Sequence, residues 1–290
     1  MRILAVMIRG LVSLALLLIL ITLGAIARGF WLIHRTYDRP VAARTVAADS
    51  TRIARGAHLA QIVCAGCHAS DPDSLPTGGA ANLGAEARPA LGELWAPNLT
   101  AGGALAGYGD AEIDRAMRQG IRHDATGMVV MPSRDLRALT PADGDAIIAY
   151  LRSLPAVRRD VPERNLNVYG YLFLGLGLLP TSVQDPSPPP RDVTESPTLE
   201  YGAYLVAIAG CRSCHGPTLH GGSAGPGVHA PDIASPARQI SLHLFERAVR
   251  SGVGFDGHAL DPHRMPWLTY RHLTELEMAV IYEYTRASLP

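Results

Sequence analysis

The 290-residue chain contains no lysine: its 26 basic residues are all arginine, and 26 acidic residues balance them to a formal net charge of zero. The missing lysine reads as compositional bias. With no basic surplus, nothing in the charge balance points to nucleic acid as a partner. Convincing runs of alternating β-branched residues are also absent, which argues against a sheet-built domain and for an all-α fold. Cysteine is scarce. The chain has four, and none is left over once their pattern is read.

The cysteines fall in QIVCAGCHAS, as Cys64 and Cys67 followed by His68, and in CRSCHGPTLHGG, as Cys211 and Cys214 followed by His215. Both pairs read Cys-x-x-Cys-His. A thioredoxin-type disulfide needs a strand leading into a helix, and neither pair follows a β-rich run. A zinc site draws four ligands from two neighbouring motifs, whereas these pairs are 147 residues apart. A plain disulfide does not require an adjacent histidine. The pattern therefore points to covalent attachment of two haem c groups, with each imidazole as the proximal iron ligand; zinc and disulfide remain the lesser readings.

The chain also repeats itself. Ala96-Pro97-Asn98-Leu99 recurs as Ala230-Pro231-Asp232-Ile233, RAMRQGI from Arg115 as RAVRSGV from Arg247, and Met131-Pro132 as Met265-Pro266. Thr140 with Asp143 and Thr274 with Glu277 have capping-box spacing before an apolar stripe, so each half should close on a helix. A further helix is expected from Asp110 to Gly120, with a counterpart from Ser241 to Gly252. Gly56 and Gly202 are placed where a first helix could lie against the last, beside Tyr150 and Tyr284. The loop Ala69–Trp95, rich in Gly, Pro and Asp, should be exposed. These boundaries divide the chain into an anchor and linker (1–48), a first domain (49–155), a connector (156–197) and a second domain (198–290).

A proximal histidine leaves the sixth iron position open. Methionine sulfur there raises the reduction potential and closes the iron to substrate. The repeated Met-Pro selects Met131 and Met265 as metal ligands, with Met128 as packing. His123, His229, His258 and His263 lie in loops from which an imidazole could approach a haem and compete for the iron; the preferred reading of each is a solvated histidine. Arg118 and Arg250 occupy equivalent helix positions from which a guanidinium could pair with a haem propionate.

Leu11–Ala27 runs 17 residues without a charge, within the range of a transmembrane helix. Six arginines lie in residues 1–48 against a single acid, which suits anionic lipid headgroups. A cleaved signal peptide is the competing reading, because Ala25-Ile26-Ala27 fits a cleavage site; it would leave a soluble periplasmic protein. Haem c is attached outside the bacterial cytoplasm, so the bulk of the chain should face the periplasm from the inner membrane. In the connector, the apolar stretch YGYLFLGLGLLP (169–180) is too short to span a bilayer. It is expected to pack between the two domains, with membrane-surface or partner contact as the alternative. PSPPPRD (186–192) reads as a stiff spacer.

Together these features look like the class I cytochrome c fold present twice. In APNLT (96–100), RAMRQGIRHDATGMVVMP (115–132), AIIAYLRSLP (146–155) and EYGAYLVAIAGCRSCH (200–215) the chain resembles the membrane-bound multihaem cytochrome c subunits of periplasmic alcohol and gluconate dehydrogenases. The resemblance implies single-electron relay between a donor dehydrogenase or quinol-oxidising complex and a respiratory acceptor, such as a cytochrome or oxidase. It implies no bond chemistry by side chains. The alternatives are a dihaem peroxidase-like enzyme and an integral haem subunit of a larger oxidoreductase complex.

Overall fold

A computed structural model describes residues 2–79, 82–225 and 228–289, so the expected loop Ala69–Trp95 is described apart from Ala80 and Ala81. The first helix, α1, runs Arg2–His34. At ~1.5 Å per residue it is about 50 Å long, longer than a bilayer core. Its most apolar window buries none of its residues in the rest of the chain. By length and composition it could cross a membrane, a test that signal sequences also pass.

The first half is built on α2 (Ser50–Val63), α3 (Asp110–Gln119) and α4 (Pro141–Ser153). The local chemistry explains their ends. Asp49 accepts a hydrogen bond from the Arg52 amide at the start of α2, and Thr140 accepts from Asp143 at the start of α4. Gly120 ends α3 at φ 63°, left-handed backbone that glycine adopts without steric cost. The connector contains α5 (Val168–Leu176). The second half repeats the plan with α6 (Leu199–Ile208), α7 (Leu242–Ser251) and α8 (Glu275–Ala287). Besides several one-turn helices, the described residues form two short antiparallel ladders: β1 (Gly92–Glu93) with β2 (Asn165–Leu166), and β3 (His220–Gly225) with β4 (Val228–Asp232).

In each half the first helix lies directly against the last, and a glycine makes this possible. A Cβ on Gly56 would sit 1.8 Å from the Ala146 carbonyl oxygen and 2.9 Å from Tyr150 Cβ. One on Gly202 would sit 2.3 Å from the Val280 oxygen and 2.9 Å from Tyr284 Cβ. The expectation drawn from the two glycines holds. Around these crossings the core is aliphatic, with Leu59, Ile147 and Ile148 in one half and Leu205, Met278 and Ile281 in the other.

Between the halves lies a buried polar network with a reciprocal pattern. Arg55 on α2 forks onto Asp143 of α4 in its own half, Nε to Oδ1 at 3.0 Å and Nη2 to Oδ2 at 3.1 Å. One turn on, His58 reaches across to Glu277 of α8 at 2.8 Å. From α6, Tyr201 donates to Glu277 in its own half at 3.2 Å, and Tyr204 reaches across to Asp143 at 2.5 Å. Arg55 with Gly56 and His58 thus stands where Tyr201, Gly202 and Tyr204 stand in the repeat. Of the two expected capping boxes, the one at Thr274–Glu277 closes reciprocally. At Thr140, the shorter Asp143 carboxylate is taken up by Arg55 and Tyr204 instead.

Two expectations are corrected. The apolar stretch 169–180 does not sit between the halves: α5 packs against the end of α1, where Gly175 meets the Ala25 carbonyl and Gly29 the Tyr171 carbonyl. Small residues on both helices let the backbones touch. Nor is the whole of loop 69–95 exposed. Leu91 and Leu94 are buried in a second core with Ile33, Val129, Leu166, Leu174 and Leu179, because the underside of α5 supplies apolar cover.

Candidate functional site

Each Cys-x-x-Cys-His forms a helical turn, Ala65–His68 and Cys211–His215, following the first helix of its half. The turn brings both cysteines and the histidine onto the wall of one cavity. The first cavity, about 510 Å³, is lined by Cys64, Cys67, His68, Met131, Trp95 and Tyr108 among others. The second, about 480 Å³, is lined by Cys211, Cys214, His215, Met265, Phe245 and Tyr270 among others. All eight expected site residues are thus brought together in two sets of four. Such volumes suit a mostly apolar prosthetic group with few polar anchors.

The imidazoles are oriented alike. His68 Nδ1 donates to the Pro97 carbonyl at 2.8 Å, and His215 Nδ1 donates to the Pro231 carbonyl at 2.8 Å. With Nδ1 protonated, Nε2 carries the lone pair, the arrangement by which ligating histidines are held for a metal. Burial lowers the proton affinity of both rings, opposed by those carbonyls, which favours the neutral form that binds iron. Pro97 and Pro231 had no assigned role in the sequence, although the repeated Ala-Pro-Asn/Asp was the signal that could have found them. Asn98 braces the first carbonyl loop: its Nδ2 donates to the Val157 carbonyl at 2.8 Å and its Oδ1 accepts from the Thr100 amide at 2.9 Å.

The remaining chemistry of the cysteines fits attachment better than redox exchange. Burial pushes the Cys64 and Cys211 thiols up to about 12, the neighbouring cysteine adding to it. A redox-active pair needs the opposite shift. Among the described residues no group of three or more His, Cys, Asp or Glu side chains converges to hold a bare metal ion.

The two methionines occupy matching turns. Met131 O accepts from Ser133 N at 2.8 Å and Met265 O from Trp267 N at 2.7 Å, starting the one-turn helices Ser133–Leu136 and Trp267–Tyr270. Met128 also lines the first cavity but is not followed by such a turn. Of the loop histidines, His229 and His258 line the second cavity, whereas His123 pairs with Glu112 at 3.0 Å outside the first. His263 is exposed. Arg118 and Arg250 line neither cavity. Their guanidinium groups hold the Leu139 and Leu273 carbonyls at 2.5 and 2.6 Å, just ahead of the last helix of each half.

The two attachment turns also meet the opposite half. Ser213, inside Cys-Arg-Ser-Cys-His, donates to Asp135 at 2.6 Å, and Asp135 follows Met131-Pro132. Gly66, inside Cys-Ala-Gly-Cys-His, approaches Thr269, which follows Met265-Pro266. The wall of each cavity is therefore buttressed by the methionine turn of the other.

Residues 53–155 match the family described as cytochrome c. Such a domain implies covalently bound haem c and electron transfer. The chain is also similar to a nicotinate dehydrogenase subunit of Pseudomonas putida, 31% identical over 191 residues; the match covers 58% of this chain and 16% of that protein.

Proposed function

We propose that this protein is a membrane-anchored c-type cytochrome with one haem in each half, relaying single electrons in a periplasmic respiratory chain. Cys64 and Cys67 would hold the first haem through thioether bonds, with His68 Nε2 and the Met131 sulfur on the iron. Cys211, Cys214, His215 and Met265 would hold the second in the same way. The haem supplies a one-electron iron couple when bound. The side chains perform no bond chemistry: they orient the imidazoles, close the sixth position and keep water from an apolar cavity. The observation that carries this reading is the paired imidazole–proline carbonyl geometry behind each Cys-x-x-Cys, at the same 2.8 Å in both halves.

The anchor in this reading is α1, with the haem-bearing halves on the periplasmic side of the inner membrane. Its donor would be a dehydrogenase or quinol-oxidising complex, and its acceptor another cytochrome or an oxidase. The Pseudomonas putida relative supports a second form of the same chemistry, in which the chain serves as the haem subunit of a dehydrogenase complex. Mild detergent extraction separates the two forms, since only the second co-purifies with a dehydrogenase in constant ratio.

Met131→Ala and Met265→Ala test the sites. Each should change the visible spectrum and lower the potential of one haem while sparing the other, because thioether sulfur favours the reduced iron. Unchanged spectra and potentials in both variants would overturn the assignment. High-spin ferric haem with peroxide turnover in the unaltered protein would favour a peroxidase-like enzyme.

A further inference from the structure

We propose that residues 168–180 form a re-entrant membrane element, dipping into the periplasmic leaflet of the bilayer that α1 spans, with Leu176 and Leu178 at its lipid-facing tip. This rests on the membrane-anchor reading and extends it to a second segment.

The direction of α5 carries the argument. Arg164 donates to the Ile33 carbonyl, Tyr171 lies against Gly29, and Gly175 lies against Ala25. As α1 rises from Ala25 to Ile33, the connector therefore descends from Arg164 to Gly175, antiparallel and in backbone contact. Its tip, Leu176–Leu179, reaches the level of the uncharged part of α1. The chain then turns at Gly177, φ 76°, and returns to pair Val129 with Thr181.

Chemistry along the descent changes in step. Residues 168–180 contain no charged side chain. Val168, Tyr169, Leu176 and Leu178 turn apolar or amphipathic surface outward, as do Phe30 and Trp31 of α1, and the Phe30 ring lies 5.6 Å from that of Tyr171. Aromatic residues at this height suit the headgroup boundary. Arg35 stacks over Trp31 and Tyr37, on the outer side.

Part of the backbone at the tip is paired internally, which lowers the cost of entering an environment without water. A helix C-terminus leaves carbonyls unpaired, and in hydrocarbon each must find an internal partner. Here the Leu174 carbonyl accepts from the Gly177 amide, the Phe173 carbonyl accepts from the Leu178 and Leu179 amides, and the Gly175 carbonyl accepts from Arg28. An exposed turn could leave these to solvent. The insertion would also fix the first cavity at the membrane surface, because Leu94 and Val129 line that cavity and share a core with Ile33, Leu174 and Leu179.

The test is alkylation of single added cysteines by an impermeant maleimide, in full-length haem-loaded protein purified alone into phospholipid nanodiscs. Haem attachment consumes all four native cysteines, so the unaltered protein is the blank. Leu176→Cys and Leu178→Cys are the probes, both at exposed positions where substitution disturbs no core. Leu18→Cys in α1 and Leu289→Cys near the far end are the controls. The proposal expects both probes and Leu18→Cys to stay unmodified while Leu289→Cys reacts to completion, and all four to react once denatured in detergent. Reactive probes beside a protected Leu18→Cys would overturn the insertion and leave the anchor standing; the tip would then await a protein partner. A reactive Leu18→Cys would overturn both.

Discussion

Glu277 offers a perturbation whose size follows from the structure. Its side chain is wholly buried, at 0% exposure, between the two halves. Burial alone would raise its pKa, but hydrogen bonds from His58 and the Thr274 amide, with the Arg55 charge, reverse this and lower it from 4.5 to about 2. At about 1.4 kcal/mol for each pH unit, the ionised carboxylate is worth roughly 3 kcal/mol to the folded state. Because the folded value lies below the unfolded one, this stability is fully present above pH 4.5 and is lost as pH falls through 4.5 towards 2. Glu277→Gln keeps an oxygen for Thr274 but places an NH2 group where Tyr201 and Arg55 now donate. Urea unfolding followed by circular dichroism should show the variant weaker by about 2–3 kcal/mol at pH 7, the gap closing towards pH 2. Equal stability at pH 7, or a gap that does not narrow in acid, would refute the reasoning that this carboxylate fastens the halves together.

Three further outcomes are expected. A double-mutant cycle of His58→Gln with Glu277→Gln should give a coupling of about 1–3 kcal/mol at pH 7, since the two touch directly across the halves; additivity would remove His58 from the network. Gly202→Ala should lower stability by about 1–3 kcal/mol or more through its clash with the Val280 carbonyl, whereas Gly10→Ala, with open space around it, should be neutral within about 1 kcal/mol. Asn98→Ala should cost about 1–3 kcal/mol by leaving the Val157 carbonyl and Thr100 amide without that partner, and should shift the spectrum of the first haem alone as the Pro97 carbonyl moves on His68.

How far the sequence could be read depended on how local the cause was. Helix ends were legible, because Thr140, Thr274, Ser241, Gly120 and Gly252 act within one turn of where they stand. The cavity sets were legible because spacing and repetition name the cysteines, histidines and methionines. The interface network was not. Arg55, His58, Tyr201 and Tyr204 differ in type between the halves, so the repeat hides their shared role, and Glu277 reads as an ordinary capping residue until His58 arrives from 219 positions away. The connector misled for a related reason: apolar composition shows that a segment will be covered, not by what. The backbone contacts of Gly175 with Ala25 and of Gly29 with Tyr171 show that α1 covers it.

The measurement that bears most directly on the central claim is the intact mass of the purified, denatured protein. The account predicts the polypeptide plus two haem groups, with no thiol left to alkylate, and the same mass reports whether the α1 segment is retained. A chain carrying one haem or none, with free cysteines at 211 and 214 or at 64 and 67, would contradict it.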